Sequence, residues 1–181
     1  IPMFVEPFFL TPSSMNDLSS IARELSAVGY SSAFFHGAQN GSMGFQAFAR
    51  ATGFEEYYGR TEYNADTRFG GDNDFDGTWA VWDEPFLQFY ALKMTEMREP
   101  FVTAVFTASS HHPFAVPEQY RDTYPEEGGN PMHKCVRYVD HALERFFDTA
   151  RRQPWFANTI FVLTGDHTNI ADHEEYQTSL G

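Results

Sequence analysis

The chain has 181 residues, 42% of them hydrophobic and 17% aromatic, which suits one domain with a real core and argues against disorder. Its 25 acidic against 12 basic residues leave a formal charge of −13. That balance lacks the basic footprint a phosphate-backbone binder needs to release counterions, so no nucleic acid partner is expected. The single cysteine, Cys135, allows no internal disulfide. No apolar run reaches the roughly 18–20 residues of a membrane span and no secretory leader pattern is present, so any anchor is expected outside this chain.

Residues 1–13, IPMFVEPFFLTPS, are Pro-rich and aromatic without a period and read as an irregular covering segment. A helix is expected from Ser14, with Leu18, Ile21, Ala22, Leu25 and Val28 at helical spacing and Gly29 as a left-handed stop. YSSAFFHG, 30–37, reads as a short strand ending on His36. A short helix follows over 43–54, and 55–82 is polar, Gly-containing and aromatic, which predicts a long functional loop.

Residues 83–100 are helical by the spacing of Phe86, Phe89, Leu92, Met94 and Met97, with Pro85 tolerated in the first turn. FVTAVFTASSHHPF, 101–114, is the most hydrophobic strand candidate, and 115–129 is another Pro- and Gly-containing loop. Asn130 and Pro131 open a long helix with Cys135, Val139, Ala142, Leu143, Phe146 and Ala150 on one face, closed by Arg151, Arg152 and Pro154. A last strand is expected in TIFVLTGDHTN, 159–169. Helices alternating with short apolar strands predict an α/β fold: a mostly parallel central sheet with helices on both faces.

His36, His111, His112 and His167 all fall at the carboxyl end of an expected strand. In parallel α/β sheets ligands bind outside those ends, so separate strands would deliver imidazoles to one rim. For His133 and His141, on the long helix, an ordinary solvated or hydrogen-bonded role is the simpler reading. Asp166 and His167 offer the oxygen and nitrogen donors that Zn²⁺ or Mn²⁺ accepts. Asp172, His173 and Glu174 follow, in a run that reads first as a solvated acidic turn.

DNDFDGTWAVWD, 72–83, matches the first six positions of a calcium loop, with Asp72, Asp74 and Asp76 as the candidate ligands. The match is incomplete, because Asp83 stands where a bidentate Glu is expected.

Taken in order, GYSSAFFHGAQNGSMGF, DFDGTWAVWDEPFLQF, TASSHHPF, YVDHALERFF and TIFVLTGDHTN make the chain resemble the alkaline-phosphatase superfamily in its sulfatase-like branch. The likeness is strongest to lipoteichoic acid synthase-type phosphoglycerol transferases, and it spans nearly all of 1–181. The resemblance implies a divalent metal, manganese first with magnesium, zinc or calcium as alternatives, that helps a Thr or Ser attack a phosphorus or sulfur ester. It implies Asp166 and His167 as metal ligands and His111 as the catalytic histidine that contacts the transferred group. It implies Trp79 as an aromatic lining the headgroup pocket and gives His36 a place in the same substrate-binding motif. The implied partner is a small-molecule or lipid-headgroup phosphate or sulfate ester, handled outside the cytoplasm, in a periplasmic or cell-surface domain of a membrane-anchored bacterial protein.

The family's nucleophile and its first acidic metal ligand lie upstream of a Gly-Ile-Pro segment that Ile1 and Pro2 resemble. Residues 1–181 are therefore expected to be an internal part of a catalytic domain, truncated at both ends, inactive as it stands and open to self-association through exposed sheet surface. Val81 stands where lipoteichoic acid-type members carry an arginine two places after the tryptophan, which leaves the choice between phosphate and sulfate open. Two non-enzymatic readings compete: a module that holds a metal or an anionic headgroup without turnover, and a calcium-stabilised structural domain.

Overall fold

The computed structural model describes residues 18–167. Three parallel strands, β1 (Ser31–His36), β2 (Glu56–Tyr58) and β3 (Phe101–Phe106), form one sheet in the order β2-β1-β3. Ser31 faces Phe101 and His36 faces Phe106, so β1 and β3 end level with one another. The helices are α1 (Ile21–Ser26), α2 (Phe45–Ala51), α3 (Arg60–Ala65), α4 (Asp83–Glu96) and α5 (Met132–Ala150).

Alternation along β1 sorts the core, because successive side chains point to opposite faces. On one face Phe35 packs against Tyr58, Phe89 and Tyr90, with ring centroids 4.7, 6.4 and 4.7 Å away, and the same cluster takes in Ala142, Phe146 and Ala150 of α5. On the other, Phe34 packs against Phe45, Phe54 and Tyr57. Helices thus cover both faces, as the alternation of short apolar strands with helices implies.

Local chemistry accounts for the element ends. Ser20 caps α1 by accepting from the Arg23 amide at 3.2 Å, and Gly29 leaves the helix at φ +93°, the left-handed region where a side chain would be strained. The expected helix start at Ser14 lies outside the described residues, and within them the helix begins only at Ile21. Its expected apolar face is partial: Ala22 is buried, but Ile21 and Val28 are exposed. Asn130 accepts from the Met132 amide at 3.0 Å to open α5.

Two expectations are corrected. The long loop over 55–82 contains β2, α3 and a 3₁₀ turn at Gly71–Asp74. A three-residue strand and a six-residue helix are too short for apolar periodicity to register, and both are set by packing of Tyr57, Tyr58 and Tyr63. The expected last strand is not formed within 159–167. A strand exists only through hydrogen bonds to a neighbour, and among the described residues none lies beside this segment. Only Phe161 turns inward, against Phe146, Phe147 and Phe156, while Ile160, Val162 and Leu163 are exposed.

Candidate functional site

The level ends of β1 and β3 carry the candidate site. His36 closes β1 and is fully buried. Its Nδ1 lies 3.0 Å from the Phe106 carbonyl, which can only accept, so Nδ1 carries the proton; Nε2 is buried and has no hydrogen-bond partner among the described residues. The ring sits among Phe45, Phe106 and Trp79 at 4.5, 5.2 and 5.1 Å. Burial lowers its pKa, outweighing the carbonyl bond, and keeps the imidazole neutral.

His36 lies against Trp79, the ring expected to line the headgroup pocket. His36 and Trp79 do share one cluster.

Trp79 is delivered by a tight loop. Asp76 Oδ1 accepts from the amides of Thr78, Trp79 and Ala80 at 2.7, 2.7 and 3.2 Å, with Gly77 at φ +83° between them. The loop is fastened to the rim of β1 where the Val81 amide donates to the Gly37 carbonyl at 3.0 Å. A Cβ on Gly37 would come within 3.2 Å of the Val81 carbonyl oxygen, so a side chain here would press the two backbones a few tenths of an ångström apart. The Trp79 indole donates to Ser42 Oγ at 3.2 Å, which fixes the ring plane.

His111 meets the same ring from β3's side. Its imidazole lies 4.7 Å from Trp79 at a 55° tilt and is exposed, with Nδ1 2.8 Å from the His112 carbonyl. That bond places the Nδ1 proton and leaves Nε2 available to a ligand, as acceptor when neutral and as donor when protonated. Asp76, Trp79, Trp82, Ser109, His111 and Pro113 border a shallow cleft with Thr78, Ala108, His112 and Ala115, and its enclosed part is about 10 Å³, room for about one water.

Behind the cleft, sequence reasoning missed a buried carboxylate. Asp83, the first residue of α4, accepts from the Ala108 amide at 2.8 Å and from the Ser109 amide at 3.0 Å, while Ser109 Oγ accepts from the Asp83 amide at 3.0 Å. Burial pushes the Asp83 carboxyl up to about 6, against the opposing pull of the two amides. The legible signal was helix-opening Asp-Glu in sequence opposite Ser-Ser after a strand, but nothing in the chain says that the two stretches meet.

Asp166 and His167 stand side by side and exposed, with His167 Nε2 3.4 Å from Asp166 Oδ2. Their donor chemistry suits a divalent metal, yet two donors complete no shell, and among the described residues no group of three or more His, Cys, Asp or Glu could hold one. This also corrects the calcium loop. Asp72 is engaged by Arg60 and Asn64, Asp74 by the Tyr63 hydroxyl and the Gly70 amide, and Asp76 by three backbone amides. The three carboxylates serve separate partners and do not converge.

Val81, where the expected arginine is missing, is 1% exposed and lies within the main core.

The sulfatase family model matches residues 2–179. Lipoteichoic acid synthase 2 of Bacillus subtilis (strain 168) is 23% identical over 164 residues, covering 88% of this chain and 24% of that protein. Phosphoglycerol transferase I of Salmonella paratyphi B is 30% identical over 146 residues, covering 77% and 19%. The chain thus spans about a quarter or less of the length of these relatives.

Among solved structures, an alkaline phosphatase superfamily protein from Vibrio parahaemolyticus superposes with a TM-score of 0.67 at 26% identity, over 81% of this chain and 35% of that one. The lipoteichoic acid synthase LtaP from Listeria monocytogenes superposes at 0.63 and 24% identity, over 76% and 34%, and supports the fold. With the family model matched over residues 2–179, this chain belongs to the sulfatase family.

Proposed function

We propose that this chain contributes the substrate-contacting rim of a metal-dependent enzyme that hydrolyses or transfers a phosphate or sulfate ester, with a phosphoglycerol-type ester as the first candidate. The observation that carries the reading is the Trp79–His111 pair, 4.7 Å apart, with Trp79 on the loop pinned beside the end of β1 and His111 in the loop that follows β3. His111 Nε2 is placed to hydrogen-bond a non-bridging oxygen of the ester. When protonated, it can stabilise charge on the transferred group or donate a proton to the leaving oxygen.

The face of Trp79 packs against the apolar side of the headgroup, and Ser42 and His36 hold that face in place. Asp166 and His167 would hold the divalent metal, manganese first. Such an ion lowers the pKa of an attacking hydroxyl and offsets charge on the transferred group. Similarity to lipoteichoic acid synthases and phosphoglycerol transferases supports a lipid-headgroup ester as substrate and an extracytoplasmic site in a membrane-anchored protein.

No described helix is long and apolar enough to cross a membrane. Any self-association would run through the exposed Ile160, Val162 and Leu163. The nucleophile is not assigned to any residue of this chain, so binding is the sound test.

Titrating glycerol 1-phosphate into the chain should shift the Trp79 indole and His111 ring NMR resonances, and His111→Ala should move the Trp79 titration to roughly 10- to 100-fold higher ligand concentration. Resonances that stay put, or a shift that persists unchanged in His111→Ala, would overturn the assignment. A parallel titration with inorganic sulfate separates the ester classes.

A further inference from the structure

We propose that Asp83 is a positioning residue that sets the distance and angle between His111 and Trp79 by clamping the loop after β3 to the start of α4. This rests on the reading of those two side chains as the substrate contacts. The argument begins with where the carboxylate points. An acidic residue in the first turn of a helix ordinarily turns back to its own unpaired amides. Asp83 instead turns away, and its two oxygens accept the amides of Ala108 and Ser109 on a segment 25 residues further along the chain.

The contact is reciprocal. Ser109 Oγ returns a bond to the Asp83 amide, so three hydrogen bonds of 2.8–3.0 Å tie two backbones together. Two parallel bonds to one planar carboxylate fix rotation as well as distance, which a single hydroxyl or amide cap could not do. Asp83 is 2% exposed and Ser109 5%, so water does not compete for these groups.

The clamp sits between the two functional side chains. His111 lies two residues beyond Ser109, and its amide donates back to the Ala108 carbonyl at 3.2 Å, so the turn that projects the imidazole is built on a clamped residue. Trp79 lies four residues before Asp83, on the loop fastened to Gly37. Loosening the clamp frees one wall of the cleft against the other without touching either ring. A carboxylate buried at this point is costly for a helix start, which Ser or Asn would cap with less desolvation. Accurate placement of the His111 turn is the physical return on that cost.

The test uses NMR on the 181-residue chain, with the Trp79 indole resonance identified by its loss in Trp79→Phe. At about pH 7.5, where the Asp83 carboxyl is ionised, His111→Ala should move the Trp79 indole resonance, because the rings are in contact. Asp83→Asn keeps the shape but replaces one acceptor with a donor that faces an amide, and it should abolish this His111-dependent step. Phe146→Ala, a core variant on α5 whose ring stacks on Tyr90, should keep the step despite lowering stability. If Asp83→Asn retains the full step, the proposal is wrong; if Phe146→Ala also loses it, the effect reflects general loosening and the proposal is equally wrong.

The wild-type chain gives a check that needs no variant. The Ala108 and Ser109 amides should be protected from hydrogen exchange like those of β3, and exchange at open-loop rates would refute the clamp. Glycerol 1-phosphate binding separates this inference from the functional reading. A clamp confirmed by exchange and coupling in a chain that binds no glycerol phosphate leaves the clamp standing and sinks the substrate assignment.

Discussion

Asp83 should make stability depend on pH in a direction opposite to that of an ordinary surface carboxylate. Desolvation raises its carboxyl from 3.8 to about 6 in the folded chain; the Ala108 and Ser109 amides and the Ser109 hydroxyl oppose the rise, and nearby Asp76 adds to it. Below pH 3.8 the group is neutral in both states, and its contribution to stability is fully present. As pH rises through that value the unfolded chain ionises first, so the contribution falls until the folded carboxyl ionises near pH 6.

The rise from 3.8 to about 6 corresponds to about 3 kcal/mol, at about 1.4 kcal/mol for each tenfold change in proton affinity. Urea unfolding of the wild type and Asp83→Asn, at several pH values from about 3.5 to about 7.5, measures it as the difference between the two. Titrations shared by both chains cancel, including that of Asp66, whose carboxyl is held down to about 2 chiefly by its hydrogen bonds from Arg68. The wild type should lose about 3 kcal/mol relative to the variant between pH 4 and 6 and nothing more above it. A flat difference, or one that grows in favour of the wild type, would show that the amides stabilise the charge more than burial opposes it.

Other substitutions test the site and the core separately. Asp166→Ala and His167→Ala should each abolish tight Mn²⁺ binding in a competition titration, because each removes a direct donor; unchanged affinity in both would remove the metal assignment. His111→Ala should spare Mn²⁺ binding while weakening glycerol phosphate binding by roughly 10- to 100-fold, the worth of one charge-assisted hydrogen bond. A collapse of metal affinity instead would make His111 a ligand. Phe89 is fully buried and within 6.4 Å of five other rings, so Phe89→Ala should cost about 3–5 kcal/mol in urea unfolding. A loss below about 1 kcal/mol would mean that the cavity collapses and that the ring cluster is less tightly packed than it stands here.

What the sequence by itself determined is the set of features that follow from local period and capping. The alternation in SSAFFH, the amphipathic run from Cys135 to Ala150 and the Gly29 stop depend on neighbours within a few residues, and β1, α5 and the end of α1 lie where those patterns put them. The parallel sheet was legible because helices separate its strands, and so was His36 at the end of β1; His111 and His112 instead lie in the loop after β3, which ends at Phe106, and His167 follows no strand among the described residues. Contacts between residues distant in sequence left no such mark. Tertiary structure alone decided that His36 lies beneath Trp79, that Val81 belongs to the core, and that the Asp72, Asp74 and Asp76 carboxylates are engaged separately by Arg60, Tyr63 and backbone amides. It also decided that Asp83 reaches across to Ser109, and that TIFVLT without a paired neighbour is not a strand within the described residues. The physical reason is the same each time: a carboxylate's partner, a ring's exposure and a strand's hydrogen bonds are properties of what packs against a residue, and a period within one segment carries no information about its neighbour.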